Sequence, residues 1–322
     1  MNDLEGKTDL TKYKKVDVFS EEDSIYEYGA INPHDMKNRK NHNRFFLKIS
    51  KWNVDQHLGE YIGYKIAQKI GFRCCDIDIY KAPRSGKTDI IEYGAISFIE
   101  EAEDDITYLP HNMIQEYRKK NGLEIKKNWI YGIDTVLNSF LKKVTDDGRP
   151  YEDFLEFKQD FINMMIYDIK FTNADRSSDN WLIRTDKATK KTDLYPLFDN
   201  AAILGFVVDT PNTDNLEEYA KKIREYDIGH PVTIVTQNSE MIGQDTEDYR
   251  DMLKYLLNKY PKETKKALDA ACSFTVNDLK NELDKIDDMD INRKKFTIAV
   301  FVQRDREVRQ IYKQWRENDR QH

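Results

Sequence analysis

The sequence predicts an α+β fold in which a small strand-rich lobe precedes a larger helical one. Three observations predict it. The chain has 322 residues, enough for two domains or lobes at about 150 residues each. Up to Ile99 it carries short apolar runs of strand character around a single helical stripe. Beyond the charged run EEAEDD (Glu100–Asp105) the pattern turns mainly helical.

In chain order, residues 1–28 are polar and charged and read as an N-terminal arm. RFFLKI (Arg44–Ile49) reads as a strand. Leu58, Ile62, Ile66 and Ile70 then recur every four residues, which predicts a helix, and Gly71 supplies its stop. CDIDIY (Cys75–Tyr80) alternates apolar and acidic residues, the pattern of a half-buried strand. PRSG (Pro83–Gly86) signals a turn, and Ile90–Ile99 reads as a further strand. These elements make a small lobe over residues 29–102, ahead of a helical lobe over 103–322. Within the latter, 110–170 reads as helix, with Phe154, Phe157, Phe161, Met164 and Met165 on one apolar face. NWLIR (Asn180–Arg184) and DLYPLF (Asp193–Phe198) read as two short strands joined by the turn-like KATKK. DTPNTD and IGHPV break up residues 206–245. Three helices are expected from Thr246 onward, the middle one capped by Thr275 with Asp278. The mixed charges of Arg304–Arg320, six basic and four acidic, read as a solvated helix face.

Composition narrows the function classes. Charged residues are 34%, against roughly 25% in ordinary globular chains, and aromatics are 12%, which together describe a highly charged folded protein. With 51 Lys and Arg against 58 Asp and Glu the net charge is −7, the wrong sign for a general nucleic-acid binder. No run approaches the ~20 apolar residues of a membrane helix, and the first residues lack the apolar core of a signal peptide. The expectation is a cytoplasmic protein, or one secreted without a recognisable leader, that touches neither membrane nor nucleic acid directly. Three cysteines, an odd count, exclude a disulfide scaffold and read as reduced thiols. The six histidines are scattered without zinc-ligand spacing.

The segment richest in chemistry is FTNADRSSDNWLI (Phe171–Ile183), where Asn173, Asp175, Arg176 and Asn180 cluster between a helix and a strand. Asp175 and Asn180 are five apart, the catalytic-loop spacing of protein kinases. An aspartate there orients an attacking hydroxyl, and an amide oxygen a short loop away binds the metal that holds the phosphates. Nineteen residues after Asn180, PLFDNA places Asp199 at the end of an apolar strand, where a carboxylate bridges Mg²⁺ to a nucleotide. Far upstream, Lys48 ends the strand RFFLK and Glu60 opens the next helix, as a phosphate-holding lysine and its glutamate do. Singly, each has a plain reading as a strand end, a first-turn acid or a turn residue. Their order along the chain, each on a suitable element, is what points to phosphoryl transfer.

N-A-D-R-S-S-D-N-W followed by P-L-F-D-N resembles the HipA-like serine/threonine kinases, and within them the CtkA-type branch. GEYIGYKIAQKIGF (Gly59–Phe72) is similar to that family's small-lobe helix, and the resemblance runs from Gly29 to about Gly205. It implies a bilobal protein-kinase-like fold, ATP with Mg²⁺, and transfer of the γ-phosphate to Ser or Thr hydroxyls, autophosphorylation included. Position by position it implies Asp175 as catalytic aspartate, with Asn173 positioning the loop, and Asn180 and Asp199 as Mg²⁺ ligands. It implies Lys48 on the ATP phosphates, Glu60 as its ion-pair partner, and Gly29 in the phosphate-covering loop. Arg176 reads as structural, paired with a carboxylate. Ser177 stands where the family has His, and no G-x-G-x-x-G loop is present, so Lys37, Arg39 and Lys40 are candidates to meet phosphate charge. Adenine is expected against backbone near Ser97–Glu101. The resemblance also implies a protein substrate and a small antitoxin partner. Two other readings fit the same residues: a kinase for a lipid or small-molecule acceptor, and a nucleotide-binding pseudokinase acting as a regulator.

Overall fold

A computed structural model describes residues 13–19, 25–30, 44–50, 55–84, 87–98, 105–123, 131–173, 175–176, 180–209, 221, 234–235, 248–286 and 289–319. The small lobe is one antiparallel sheet. Its strands are β1 (Tyr13–Phe19), β2 (Ile25–Ala30), β3 (Arg44–Ile49), β4 (Ile77–Arg84) and β5 (Lys87–Phe98), in the order β1-β2-β3-β5-β4. The expected arm over residues 1–28 is thereby corrected. Tyr13–Phe19 and Ile25–Ala30 alternate well enough to pair, Tyr13 opposite Ala30 and Ile25 opposite Lys48, so the sheet begins ahead of residue 29. Lys48 sits on the central strand, between Ile25 of β2 and Ala95 of β5.

Helix α1 (Gln56–Ile70) packs on β4 and β5. Leu58, Ile62, Ile66 and Ile70 are all buried, as their spacing predicts. Its N-cap, Asp55, makes no side-chain cap; Ser50, just past β3, reaches over instead and accepts the His57 N–H at 3.0 Å. The helix stops at Gly71 (φ 75), where Phe72 N–H donates to Ala67 O and Gly71 N–H to Gln68 O, a paired closure that only a residue tolerant of left-handed backbone allows cheaply. Beyond it β4 begins at Ile77, two residues later than the alternation suggests, because Cys74 and its neighbours pair with Leu197 of the large lobe.

The large lobe adds β6 (Ile106–Tyr108), α2 (Pro110–Lys120), β7 (Tyr131–Gly132), α3 (Ile133–Asp146) and α4 (Tyr151–Phe171). Next come β8 (Ile183–Thr185), β9 (Thr192–Leu194), a 3-10 turn at Ile203–Gly205 and β10 (Ile234–Val235). Strands β6, β8 and β9 form a small antiparallel sheet, and β10 pairs with β7 in parallel. The strand expected over NWLIR is displaced to 183–185, since Asn180–Leu182 belong to the loop that builds the site. The core centres on α4, whose Phe157, Phe161, Met164 and Met165 are buried, with Phe157 stacked on Phe140 of α3. Burying each such side chain contributes about 1.5–3 kcal/mol.

Among the described residues four helices, not three, follow residue 246: α5 (Tyr249–Lys259), α6 (Pro261–Ala271), α7 (Val276–Asp284) and α8 (Ile291–Asp319). Proline at 261 lacks the N–H that would continue α5, and starts α6 instead. The expected cap is present as a reciprocal capping box between Thr275 and Asp278, at the start of α7. One stripe of α8, Arg304, Val308 and Tyr312, is buried, which corrects the wholly solvated face expected there. Earlier on α8, buried Arg293 donates to Asp55 Oδ2 (3.0 Å), Gly205 O (2.9 Å) and Val208 O (2.6 Å). The stretches 1–12, 31–43, 99–104 and most of 206–247, with the expected basic loop and part of the adenine hinge, lie outside the described residues.

Helix α1 is clamped to the large lobe at two glycines. A Cβ at Gly59 would meet Ala201 O at 2.4 Å, and one at Gly63 would meet Asn200 Cβ at 2.8 Å and the Tyr167 hydroxyl at 2.9 Å. Tyr167 in turn donates to Gly63 O at 2.8 Å. Gly59→Ala is therefore expected to lower stability by about 1–3 kcal/mol despite alanine's better helix propensity, read from urea unfolding. An unchanged or raised midpoint would show that α1 does not press on this segment.

Candidate functional site

Strand β3 and helix α1 deliver two of the expected groups to the seam between the lobes. Lys48 Nζ donates to Asp199 Oδ1 at 2.6 Å, with the two side chains 25% and 16% exposed. Burial opposes the lysine's charge, but Asp199, Glu60 and Asp175 more than offset it and hold the Lys48 pKa above its usual value. Glu60 lies deeper, 2% exposed, and its Oε2 accepts the Asn200 backbone N–H at 2.7 Å. Burial and the facing Asp199 carboxylate push its pKa up to about 8, against the pull of Lys48 and the Asn200 N–H. The expected Lys48–Glu60 ion pair is thus replaced by a Lys48–Asp199 pair with Glu60 behind it. Glu60 is already held by Asn200, and Asp199 is the carboxylate within hydrogen-bond reach of the ammonium.

The end of α4 builds the loop. The helix closes at Thr172 (φ 57), after which Asn173 turns back on Asp168. Asn173 N–H donates to Asp168 O and its Nδ2 to Asp168 Oδ1, both at 2.9 Å, while its Oδ1 accepts the Asp175 N–H at 3.4 Å. Asn173 is therefore buried scaffold for the loop, and Asp175 is exposed. Asn180 Nδ2 donates to Asp175 O, which ties the two ends of the D-x-x-x-x-N loop together and turns the amide oxygen to other use. Ser177 lies outside the described residues.

Arg176 is the centre of this arrangement. Its guanidinium is buried and all five N–H groups donate. Nε and Nη2 bind the two Asp168 oxygens, each at 3.0 Å. Nη1 binds Asn180 O and Phe198 O, and Nη2 also binds Asn200 Oδ1, all at 2.7 Å. The arginine read as structural is so, and its carboxylate is Asp168. One cation thereby sets the loop after α4 and the Asp199 segment relative to α4. Asp199 itself has φ 50, a left-handed backbone that costs a non-glycine residue on the order of 1–3 kcal/mol and concentrates at functional sites.

Of the expected residues, Lys48, Glu60, Asp199 and Asp175 share one electrostatic cluster, and Asn180 is bonded to Asp175. Gly29 is the penultimate residue of β2, opposite Arg44 of the same β3, and the stretch outside the described residues begins two residues on. Asp168, Asn200 and the two α1 glycines escape sequence reasoning. Asp168 lies on α4 while Arg176 lies beyond the helix end, so no single period links them, and Asn200 is overshadowed by its neighbour Asp199. His57, one turn before Glu60, is buried, hydrogen-bonded through Nδ1 to Ser50 Oγ at 2.9 Å, and lowered to a pKa of about 4 by burial, so it stands neutral.

No protein-family model matches the sequence, and no curated protein matches it. Solved structures do match the fold. The proinflammatory kinase CtkA of Helicobacter pylori aligns over 93% of this chain and 94% of its own, with a TM-score of 0.62 and 13% identity. HipA, from the toxin–antitoxin system of Shewanella oneidensis MR-1 solved with HipB and operator DNA, aligns over 91% of this chain with a TM-score of 0.52 and 10% identity. The chain spans 65% of the HipA chain's length. The likeness read from the motifs thus extends to the fold, an α+β architecture of HipA-like kind.

The Glu60 environment gives a signed pH effect. A carboxyl whose pKa rises on folding favours the fold at low pH, and that contribution is lost as pH climbs from about 4.5 toward 8. Glu60→Gln keeps the acceptor for Asn200 and removes the charge. Its melting temperature, relative to wild type, is expected to rise between pH 5 and pH 8 in ligand-free protein. A difference that stays flat across that range would contradict the raised pKa.

Proposed function

We propose that this chain is an ATP- and Mg²⁺-dependent kinase that transfers the γ-phosphate to Ser or Thr hydroxyls of proteins, itself included. The observation that carries the reading is the convergence of Lys48, Glu60, Asp175 and Asp199 on one seam, with Lys48 bonded to Asp199 across 151 residues of sequence. Lys48 supplies a fixed cation for the α- and β-phosphates, and Asp175 is exposed where a substrate hydroxyl arrives. Asp175 orients that hydroxyl and takes up its proton. Arg176 keeps Asp175 and Asp199 in register.

The donor set suits Mg²⁺. Asp199 and the Asn180 amide oxygen are hard ligands, two in number, and this ion prefers few protein ligands alongside water and phosphate oxygens. When bound, the ion neutralises charge on the transferring phosphoryl. Among the described residues no three His, Cys, Asp or Glu side chains form a cage of their own, in keeping with a site shared with a nucleotide. Ser97 and Phe98, at the end of β5, lead into the segment where backbone groups would take adenine. A small antitoxin-like partner belongs to this reading through HipA, which was solved with HipB. Among the described residues no helix is long and apolar enough to cross a membrane, and the reading takes the chain as cytoplasmic, or secreted without a recognisable leader.

The test is incubation with Mg²⁺ and γ-labelled ATP, followed by mass spectrometry of the label. Wild type is expected to carry label on Ser or Thr. Asp175→Ala should lose transfer by about three orders of magnitude or more while its melting temperature stays within the range of ordinary surface changes, because the side chain is exposed. Near-normal transfer by Asp175→Ala sinks the assignment. Label found only on an added lipid or small molecule replaces the protein acceptor with that class. ATP binding with no transfer to any acceptor points to a regulator.

A further inference from the structure

We infer that Asn200 is a positioning residue for Asp199: it joins the small lobe's glutamate to the catalytic loop's arginine and so holds the strained backbone that aims the metal-binding carboxylate. The inference rests on the kinase reading for the role of Asp199, while the clamp itself is a property of the ligand-free chain.

The direction of the Asp199 side chain is set by rotation about the two bonds at its Cα, and each rotation swings one flanking peptide plane. The plane before it carries the Phe198 carbonyl, which accepts from Arg176 Nη1 at 2.7 Å. The plane after it carries the Asn200 N–H, which donates to Glu60 Oε2 at 2.7 Å. Both planes are therefore pinned, one from the catalytic loop and one from α1, around a residue at φ 50. Held on one side only, the left-handed conformation would relax toward the ordinary region.

The Asn200 side chain couples the two pins. Its Oδ1 accepts from Arg176 Nη2 at 2.7 Å, and its Nδ2 points to Cys74 Sγ at 3.7 Å, just where Cys74 pairs with Leu197. Its Cβ lies against Gly63, where a side chain on α1 would force it away. Asn200 is fully buried, so it meets neither nucleotide nor acceptor and acts only through Asp199, Glu60 and Arg176. An amide suits the position: it offers an acceptor to the arginine and a donor toward sulfur without adding a third carboxylate beside Glu60 and Asp199.

The test uses the full chain and three variants, with two readouts besides turnover. Hydrogen exchange of the ligand-free protein reports the clamp. In Asn200→Ala the amides of 197–204 should exchange about tenfold faster or more, with those of α6 unchanged. Binding of a fluorescent ATP analogue titrated with Mg²⁺ reports Asp199. The Mg²⁺ needed for half-maximal binding should rise by about ten- to hundredfold, with metal-free binding of the analogue unchanged. Asn200→Asp keeps the acceptor for Arg176 but loses the donor toward sulfur and adds the third carboxylate, so its exchange rates should fall between those of wild type and Asn200→Ala. Asn200→Ser takes the place of alanine if that variant does not fold. Wild-type exchange in Asn200→Ala, or a fall in melting temperature and turnover together without any change in Mg²⁺ requirement, overturns the inference. Failure of wild type to bind Mg²⁺ with the analogue overturns the kinase reading instead, and the exchange data still decide the clamp.

Discussion

A single buried arginine organises this molecule's working centre. Arg176 reaches Asp168 on the long helix, Asn180 at the end of the loop, and Phe198 and Asn200 on either side of Asp199. Its planar fork offers five donors in fixed directions, and each meets an oxygen. Such a group is costly to bury and costlier to disturb, because removing it strands Asp168 without its counter-charge. Its bonds to Asn180 O and Phe198 O tie the end of the loop and the Asp199 segment to that buried pair.

The two lobes meet through contacts that leave little slack. The Ala201 backbone presses on Gly59 and the Asn200 and Tyr167 side chains press on Gly63, whose carbonyl Tyr167 bonds. Glu60 rides on the same face of α1 and takes a main-chain N–H from the large lobe. Strand β3, α1 and the Asp199 segment thus form one packed unit, in which Lys48 and Asp199 meet across the seam.

Much of this was legible in the sequence. The four-residue period of Leu58–Ile70 and the left-handed stop at Gly71 are local properties, and local physics decides them. The D-x-x-x-x-N loop and PLFDN are likewise short-range patterns tied to one chemistry. What escaped depends on partners far apart in sequence. Residues 13–30 look like an arm because their apolar content is modest; β1 pairs with β2, and β2 with a β3 that lies well beyond it in sequence. Arg304 and Arg293 look like surface charges, yet their partners, Ile169 O and Asp55, lie over a hundred residues away. Which carboxylate takes the Lys48 ammonium directly is hidden for the same reason: sequence order says which groups share a site, not which oxygen lies nearest.

Arg293 gives the architecture an order in time. Its bond to Asp55, at the start of α1, spans 238 residues. During synthesis at roughly 5–20 residues per second, that separation amounts to on the order of ten to fifty seconds. Through that interval the small lobe's strands and α1 are out of the ribosome while the cation that fastens the helix start to the turn after Asp199 has yet to be made. The nascent chain holds Lys48 and α1 long before it holds the arginine that fastens the helix start, so that contact between the lobes is among the last to form.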